Sequence, residues 1–220
     1  MSNQRSTTAI SLAAITALAA WFACISNTYL VIINASANGY TVPHALGRFF
    51  SHGTILTNLL VAIDLFFILV FPNSKAATFF SKPFNAGAIA LYILIVGVGY
   101  NTLMRQFSTA QGWNEVDNEL MHVVVPILYF LYWLFFAAKD SLQWKDAFRW
   151  LIWVAIYFSY LLIRGAIDGF YPYTFLNVTE LGYPQTILRA VISGVAIICL
   201  GIMLVEIGKA QEKKYPKVKN

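Results

Sequence analysis

The sequence predicts an all-α polytopic membrane protein, a bundle of six transmembrane helices. Three observations predict it. Apolar runs of about 20 residues recur along the chain, each long enough to cross a hydrocarbon core of roughly 30 Å. Of its 220 residues, 59% are hydrophobic and only 11% charged, and the mean hydropathy is +0.64. That balance lies far from that of a soluble domain. Finally, most charged residues fall between or after the apolar runs rather than within them. The net charge of +5 is therefore a topology signal, and no nucleic-acid partner is expected.

The first span is predicted over residues 8–33, after Arg5. Ala35 and Ala37 look like a signal-peptide cleavage site, but the apolar run before them is too long for a typical leader and carries Ser26, Asn27 and Thr28, so it is expected to be a retained helix. A loop with Asn38, Gly39, Pro43, His44 and Arg48 follows. The second span covers 53–71 and stops at Pro72. The third covers 84–104, and its Gly87, Gly97 and Gly99 allow close helix approach. The fourth covers 118–138, the fifth 147–164, and an aromatic loop, 165–183, leads to the sixth, 184–208. Residues 209–220 form a basic tail. There is one transmembrane domain, with no internal repeat and no signal for an oligomeric state.

Six spans place both termini on one side. Arg5, Lys75, Lys82, Lys139, Lys145, Arg149, Lys209, Lys213, Lys214, Lys217 and Lys219 fall on that side, and Arg48, Arg105, Arg164 and Arg189 on the other. Eleven against four predicts that both termini are cytoplasmic. The tail lysines would also attract anionic lipid headgroups. Sequons at Asn34 and Asn177 face outside and matter only in a glycosylating cell.

With that orientation, His122 lies about one turn below the outer interface at a rise of 1.5 Å per residue. An ionisable residue inside a membrane is costly, which makes function the default reading. Thr54, Thr57 and Asn58 of span two reach a comparable depth. Arg48, Asn101, Arg105 and Arg164 stand near the same level, and Asn118 and Glu119 lie one turn above His122. Polar groups of several elements thus converge toward the outer leaflet, while the inner halves carry little besides Asp64, expected either to be clasped by a Tyr or Trp of another helix or to be protonated at that depth.

A threonine hydroxyl becomes a usable nucleophile when a base lies within hydrogen-bond reach, and histidine is the usual one near neutral pH. Asn118 or Glu119 would fix its tautomer. The competing reading is structural: threonines in membrane helices bond their own i−4 carbonyl, and a lone histidine clasps a neighbouring helix. Metal and haem chemistry find no support. Only His122 is clearly within a span, His44 and His52 lie in or beside a loop, and Cys24 and Cys199 lack ligand spacing. No cofactor is expected. The stretch from Arg164 through Tyr171, Pro172 and Tyr173 suits an interfacial anchor, and also a clamp on a lipid headgroup or carboxylate.

Three motifs, taken together, carry a resemblance. They are Thr57, Asn58, Leu59 and Leu60 in span two; His122 to Pro126 with Trp133 in span four; and Arg164, Gly165, Gly169 and Tyr171 to Leu176 in the loop. In that order they resemble the bacterial six-span "Pr-six-Pr" membrane proteins over residues 45–208. They are similar, more distantly, to the animal androgen-induced and androgen-dependent membrane hydrolases. The animal branch hydrolyses fatty acid esters of hydroxy fatty acids with an intramembrane threonine and histidine. By that resemblance the histidine is His122 and the threonine Thr54, with Thr57 as the alternative. Gly53 stands where the animal proteins carry an aromatic residue, and Glu119 where they carry a second histidine.

The expectation is a lipid hydrolase acting on ester-linked acyl lipids from the outer leaflet. Thr54 would attack, His122 would take its proton, and Asn58 or Asn101 would help hold the oxyanion. Arg48, Arg105 or Arg164, with Asn118, Tyr171 and Tyr173, would bind the substrate. The alternatives are a non-catalytic lipid-binding or structural membrane protein and a small transporter relaying protons through Asp64 and His122. Against the transporter, the chain lacks broken helices in matching halves.

Overall fold

Local signals set the helix ends. In the computed structural model, which describes residues 6–214, Ser6 caps the first helix by accepting the amide of Ala9, and α1 runs from Thr7 to Ile33. Pro43 opens the short α2, Val42–Phe49, where its missing N–H costs nothing. The second crossing is α3, Gly53–Val70. Ser74 caps α4, Lys75–Phe80, and Pro83 starts α5, Pro83–Gly99. After α6, Trp113–Glu119, come α7, Val125–Phe136, then α8, Trp144–Asp168, and α9, Val178–Lys214. The described residues hold six helices long and apolar enough to cross a membrane. The all-α polytopic architecture is thus the observed one. Arg5, Lys217 and Lys219, three of the charges that orient the chain, lie outside the described residues.

The crossings begin and end within a few residues of expectation, with two informative exceptions. The fourth starts at Trp113 rather than 118, because α6 continues the helix through the expected loop. The last is helical from Val178, but Gly182 breaks it at φ 71° and ψ 160° just before Pro184, so the long helix starts where the proline predicts.

The chain divides between Ala138 and Lys139 into two compact units. In the first, α1, α3, α5 and α7 form a closed ring in which each packs on the next and α7 returns to α1. Ala9, Ala13, Thr16, Ala17, Ala20, Ala23 and Cys24 make the buried stripe of α1, and these small side chains let neighbouring backbones come close. Deeper in this unit, the Tyr129 hydroxyl donates to Asp64 Oδ2 at 2.6 Å, both residues buried. Asp64 Oδ1 has no partner among the described residues. Tyr129→Phe strands the whole carboxyl group and should cost about 1–3 kcal/mol. Replacing both, as Asp64→Leu with Tyr129→Phe, should recover most of that loss, because no buried polar group is then left bare. Thermal unfolding in detergent measures both variants, and equal melting of the single and the double would refute the clasp.

In the second unit α8 packs on α9. Gln143 and Asp146 form a reciprocal capping box at the start of α8, and Gly169 ends it in the left-handed region at φ 72°. The loop beyond folds back on the helix. A Cβ on Gly165 would fall 2.1 Å from Tyr171 Cε1, so the tyrosine ring occupies the space the glycine leaves.

Lys139 begins this unit. Its Cβ lies 3.3 Å from where a Cβ on Gly208 would stand, and only 8% of the residue is exposed. Burial pulls its amine down to about 8 from 10.5. Between those values the unfolded chain holds a proton that the folded chain has released, so stability rises with pH across that window. Relative to Lys139→Met, the wild-type protein should therefore gain melting temperature from pH 8 to pH 10. A difference that stays constant from pH 7 to pH 10 would contradict the burial of this amine.

Candidate active site

Pro126 sets the geometry of the fourth crossing. It has no N–H to give the carbonyl four residues back, and in an ordinary helix its ring would press on that carbonyl. The helix adopts a π turn over Leu120–Val124, between α6 and α7. A second π turn, Tyr100–Met104, continues α5 beside it. Such turns are uncommon and concentrate at functional sites.

The carbonyls four and five residues before Pro126 belong to His122 and Met121, and each finds an asparagine. Asn101 donates to the His122 carbonyl at 3.0 Å and to Gly97 of its own helix at 2.7 Å. Asn58 donates to the Met121 carbonyl at 3.2 Å and to Thr54 of its own helix at 2.9 Å. Both hydrogens of each amide are thereby engaged. The expectation that Asn58 or Asn101 supplies an oxyanion donor is corrected by this geometry.

The π turn presents the His122 ring to α3. Thr54 Oγ1 lies 3.2 Å from Nε2, and Nδ1 lies 2.9 Å from the Asn118 backbone carbonyl. A carbonyl can only accept, so Nδ1 carries the hydrogen. In the neutral ring Nε2 is then a bare acceptor, and the threonine hydroxyl must donate to it. A hydroxyl pointed at an imidazole lone pair is the arrangement that turns a weak alcohol into a nucleophile. It is Thr54, and not Thr57, that makes this bond. Thr54 is also the second residue of α3, at the positive end of that helix.

Several expected roles fall to other atoms. The tautomer is fixed by the Asn118 backbone, while the Asn118 side chain donates to the Tyr100 hydroxyl. Glu119 does not reach the imidazole by a hydrogen bond; it pairs with Arg105 at 2.8 Å. Arg105 also donates to Asn101 Oδ1 at 2.8 Å and lies over the Tyr100 ring at 5.5 Å. Arg48 stacks on Tyr40 at 5.1 Å. In the second unit, Arg164 holds Asp168 at 3.1 Å and the Tyr160 hydroxyl at 3.2 Å. Tyr171 packs on Gly165, and Tyr173 stacks near Phe175 with its hydroxyl 3.5 Å from that of Tyr157. The Tyr-Pro-Tyr stretch therefore braces its own loop.

Two participants were not foreseen. Tyr100 stacks on the imidazole, with ring centroids 3.9 Å apart and planes 25° apart, and so helps hold the ring plane; the nearby Gly97 and Gly99 were its one sequence signal. Asp117, read as a loop residue, is buried and accepts from Ser26 Oγ at 2.8 Å, tying α6 to α1. Among the described residues no cluster of His, Cys, Asp and Glu could hold a metal ion. Compared with known proteins, the chain matches no family model, no curated protein and no solved structure.

Proposed function

We propose that the protein is an intramembrane hydrolase of ester-linked acyl lipids, with Thr54 as nucleophile and His122 as base. The observation that carries this reading is the 3.2 Å bond from Thr54 to an imidazole whose tautomer is fixed by the Asn118 carbonyl. Thr54 Oγ1 adds to the ester carbonyl as its proton passes to His122 Nε2. The tetrahedral intermediate then expels the alcohol, which takes that proton. Water hydrolyses the acyl-threonine by the same route, returning the carboxylic acid and the free hydroxyl. The oxyanion would form at the positive end of α3, beside the first-turn amides.

Sequence resemblance to the Pr-six-Pr proteins and their animal relatives supports the same pair and suggests fatty acid esters of hydroxy fatty acids as the substrate class. The charge bias supports cytoplasmic termini and a site toward the outer leaflet, and the resemblance suggests a bacterial plasma membrane. Substrate would enter sideways from lipid. A carboxylate or headgroup would exchange onto a cation such as Arg105, whose partner Glu119 shares an exposed position with it.

One observation favours a non-catalytic reading, in which the polar cluster only clamps helices: both side-chain N–H groups of Asn58 and of Asn101 are spent on carbonyls. A single experiment separates the two. The purified protein in lipid nanodiscs is incubated with a panel of acyl esters and with an alkyl fluorophosphonate, and the adduct is located by peptide mass spectrometry. The hydrolase reading expects fatty acid release and an adduct on Thr54. No release from any ester, or an adduct only elsewhere, overturns it.

A further inference from the structure

We propose that Asn58 and Asn101 are positioning residues, which aim His122 at Thr54 by filling the hydrogen-bond gap that Pro126 creates. Two consecutive carbonyls, those of Met121 and His122, lose their ordinary helical partner. Each is taken by an amide from a different helix, Asn58 of α3 on one side and Asn101, just beyond α5, on the other. Each amide is itself anchored to the carbonyl four residues back in its own helix. The imidazole is thereby tethered through its own backbone from two directions, within one residue of the ring it must orient.

The Asn58 side chain shows which half of the amide is used. The residue is fully buried, and among the described residues its Oδ1 has no hydrogen-bond partner while its Nδ2 makes two bonds. An amide that leaves its acceptor bare in the interior is held there for its donors. The π turn gives those donors a purpose beyond packing. Removing it would rotate what precedes it by about 100° relative to α7, carrying the ring away from Thr54. The two asparagines stabilise the shifted register by occupying the carbonyls that the register leaves open.

The inference rests on the proposed hydrolase only for the use made of the pair; the aim of the ring can be read without turnover. Protein with 15N-histidine, in nanodiscs, reports the tautomer of His122, with His44→Gln and His52→Gln assigning the other two signals. The expected wild-type signal is a neutral ring with hydrogen on Nδ1 and a hydrogen-bonded, bare Nε2. In Asn58→Leu and Asn101→Leu the hydrogen-bonded Nε2 signal should shift to that of a free acceptor, and fluorophosphonate labelling of Thr54 should fall on the order of 10²-fold.

Adding Pro126→Ala returns the missing N–H. It should restore the melting temperature of both asparagine variants without restoring the His122 signal, a split that a purely structural role does not produce. A wild-type His122 signal in both folded asparagine variants overturns the proposal, as does a melting temperature unmoved by Pro126→Ala. Should Asn58→Leu not fold, Asn101→Ser at the more exposed end decides: a lost Nε2 hydrogen bond supports the proposal and a retained one overturns it. If the signals behave as expected while no variant, wild type included, labels at Thr54, the hydrolase reading fails and the positioning role stands.

Discussion

His122→Ala will slow acylation of Thr54 by on the order of 10²–10⁴-fold, the range a positioned general base contributes. The reason is specific to the geometry. The hydroxyl of Thr54 points at the bare Nε2, the acceptor that fixes its direction and takes its proton. Alanine removes that acceptor, and a free threonine hydroxyl holds its proton far too tightly to attack an ester near neutral pH. Thr54→Val, which keeps the shape and removes the oxygen, should abolish the adduct altogether. Thr54→Ser should retain it, since the hydroxyl and its helix position persist.

Because the two residues act as a unit, the double variant should turn over esters no more slowly than the worse single. Melting temperature, measured in parallel, separates a lost base from a lost fold. Labelling of His122→Ala at the wild-type rate would remove the histidine from any catalytic scheme. Labelling of Thr54→Val at an unchanged rate would remove the threonine.

The membrane architecture was legible because run length and hydropathy are direct consequences of bilayer thickness. Thr54 and His122 were legible as a pair because both lie near the starts of the second and fourth spans, which run in the same direction, at depths set by helical rise. What lay beyond reach was the arrangement around them. Helices α2 and α4 sit in segments too short for a periodic signal, although Pro43 and Ser74 mark their starts. Pro126 was visible as a residue, but the π turn is a response of the whole neighbourhood, and it decides which side chains face one another. For that reason Tyr100 was missed, and Asn58 and Asn101 were given to an oxyanion when their donors belong to Met121 and His122. Arg105 and Arg164 were assigned to substrate for the same kind of reason: sequence shows charge, while Glu119 and Asp168 become their partners only once the helices are placed.

Gly97→Ala tests that arrangement at its tightest point. A Cβ there would stand 2.9 Å from Pro126 Cβ, 3.3 Å from its Cγ and 3.4 Å from the His122 carbonyl oxygen. A proline ring cannot swing aside as a long side chain can, so α5 itself must move outward. Overpacking of this kind typically costs about 1–3 kcal/mol. The displacement also has a chemical consequence, because Asn101 is anchored to the Gly97 carbonyl and reaches from there to His122.

Moving that anchor should loosen the imidazole, so Thr54 labelling falls along with the melting temperature. Gly99→Ala is the control, since nothing lies within 4 Å of its Cβ; alanine there should leave labelling intact and, by helix propensity, add up to about 1 kcal/mol. Equal melting and equal labelling of the two variants would contradict the close approach of α5 to Pro126. If Gly97→Ala lowers stability but leaves labelling untouched, the clasp holds the helices together without aiming the ring. Both readouts falling together ties helix packing to the chemistry through one glycine, one proline and one asparagine.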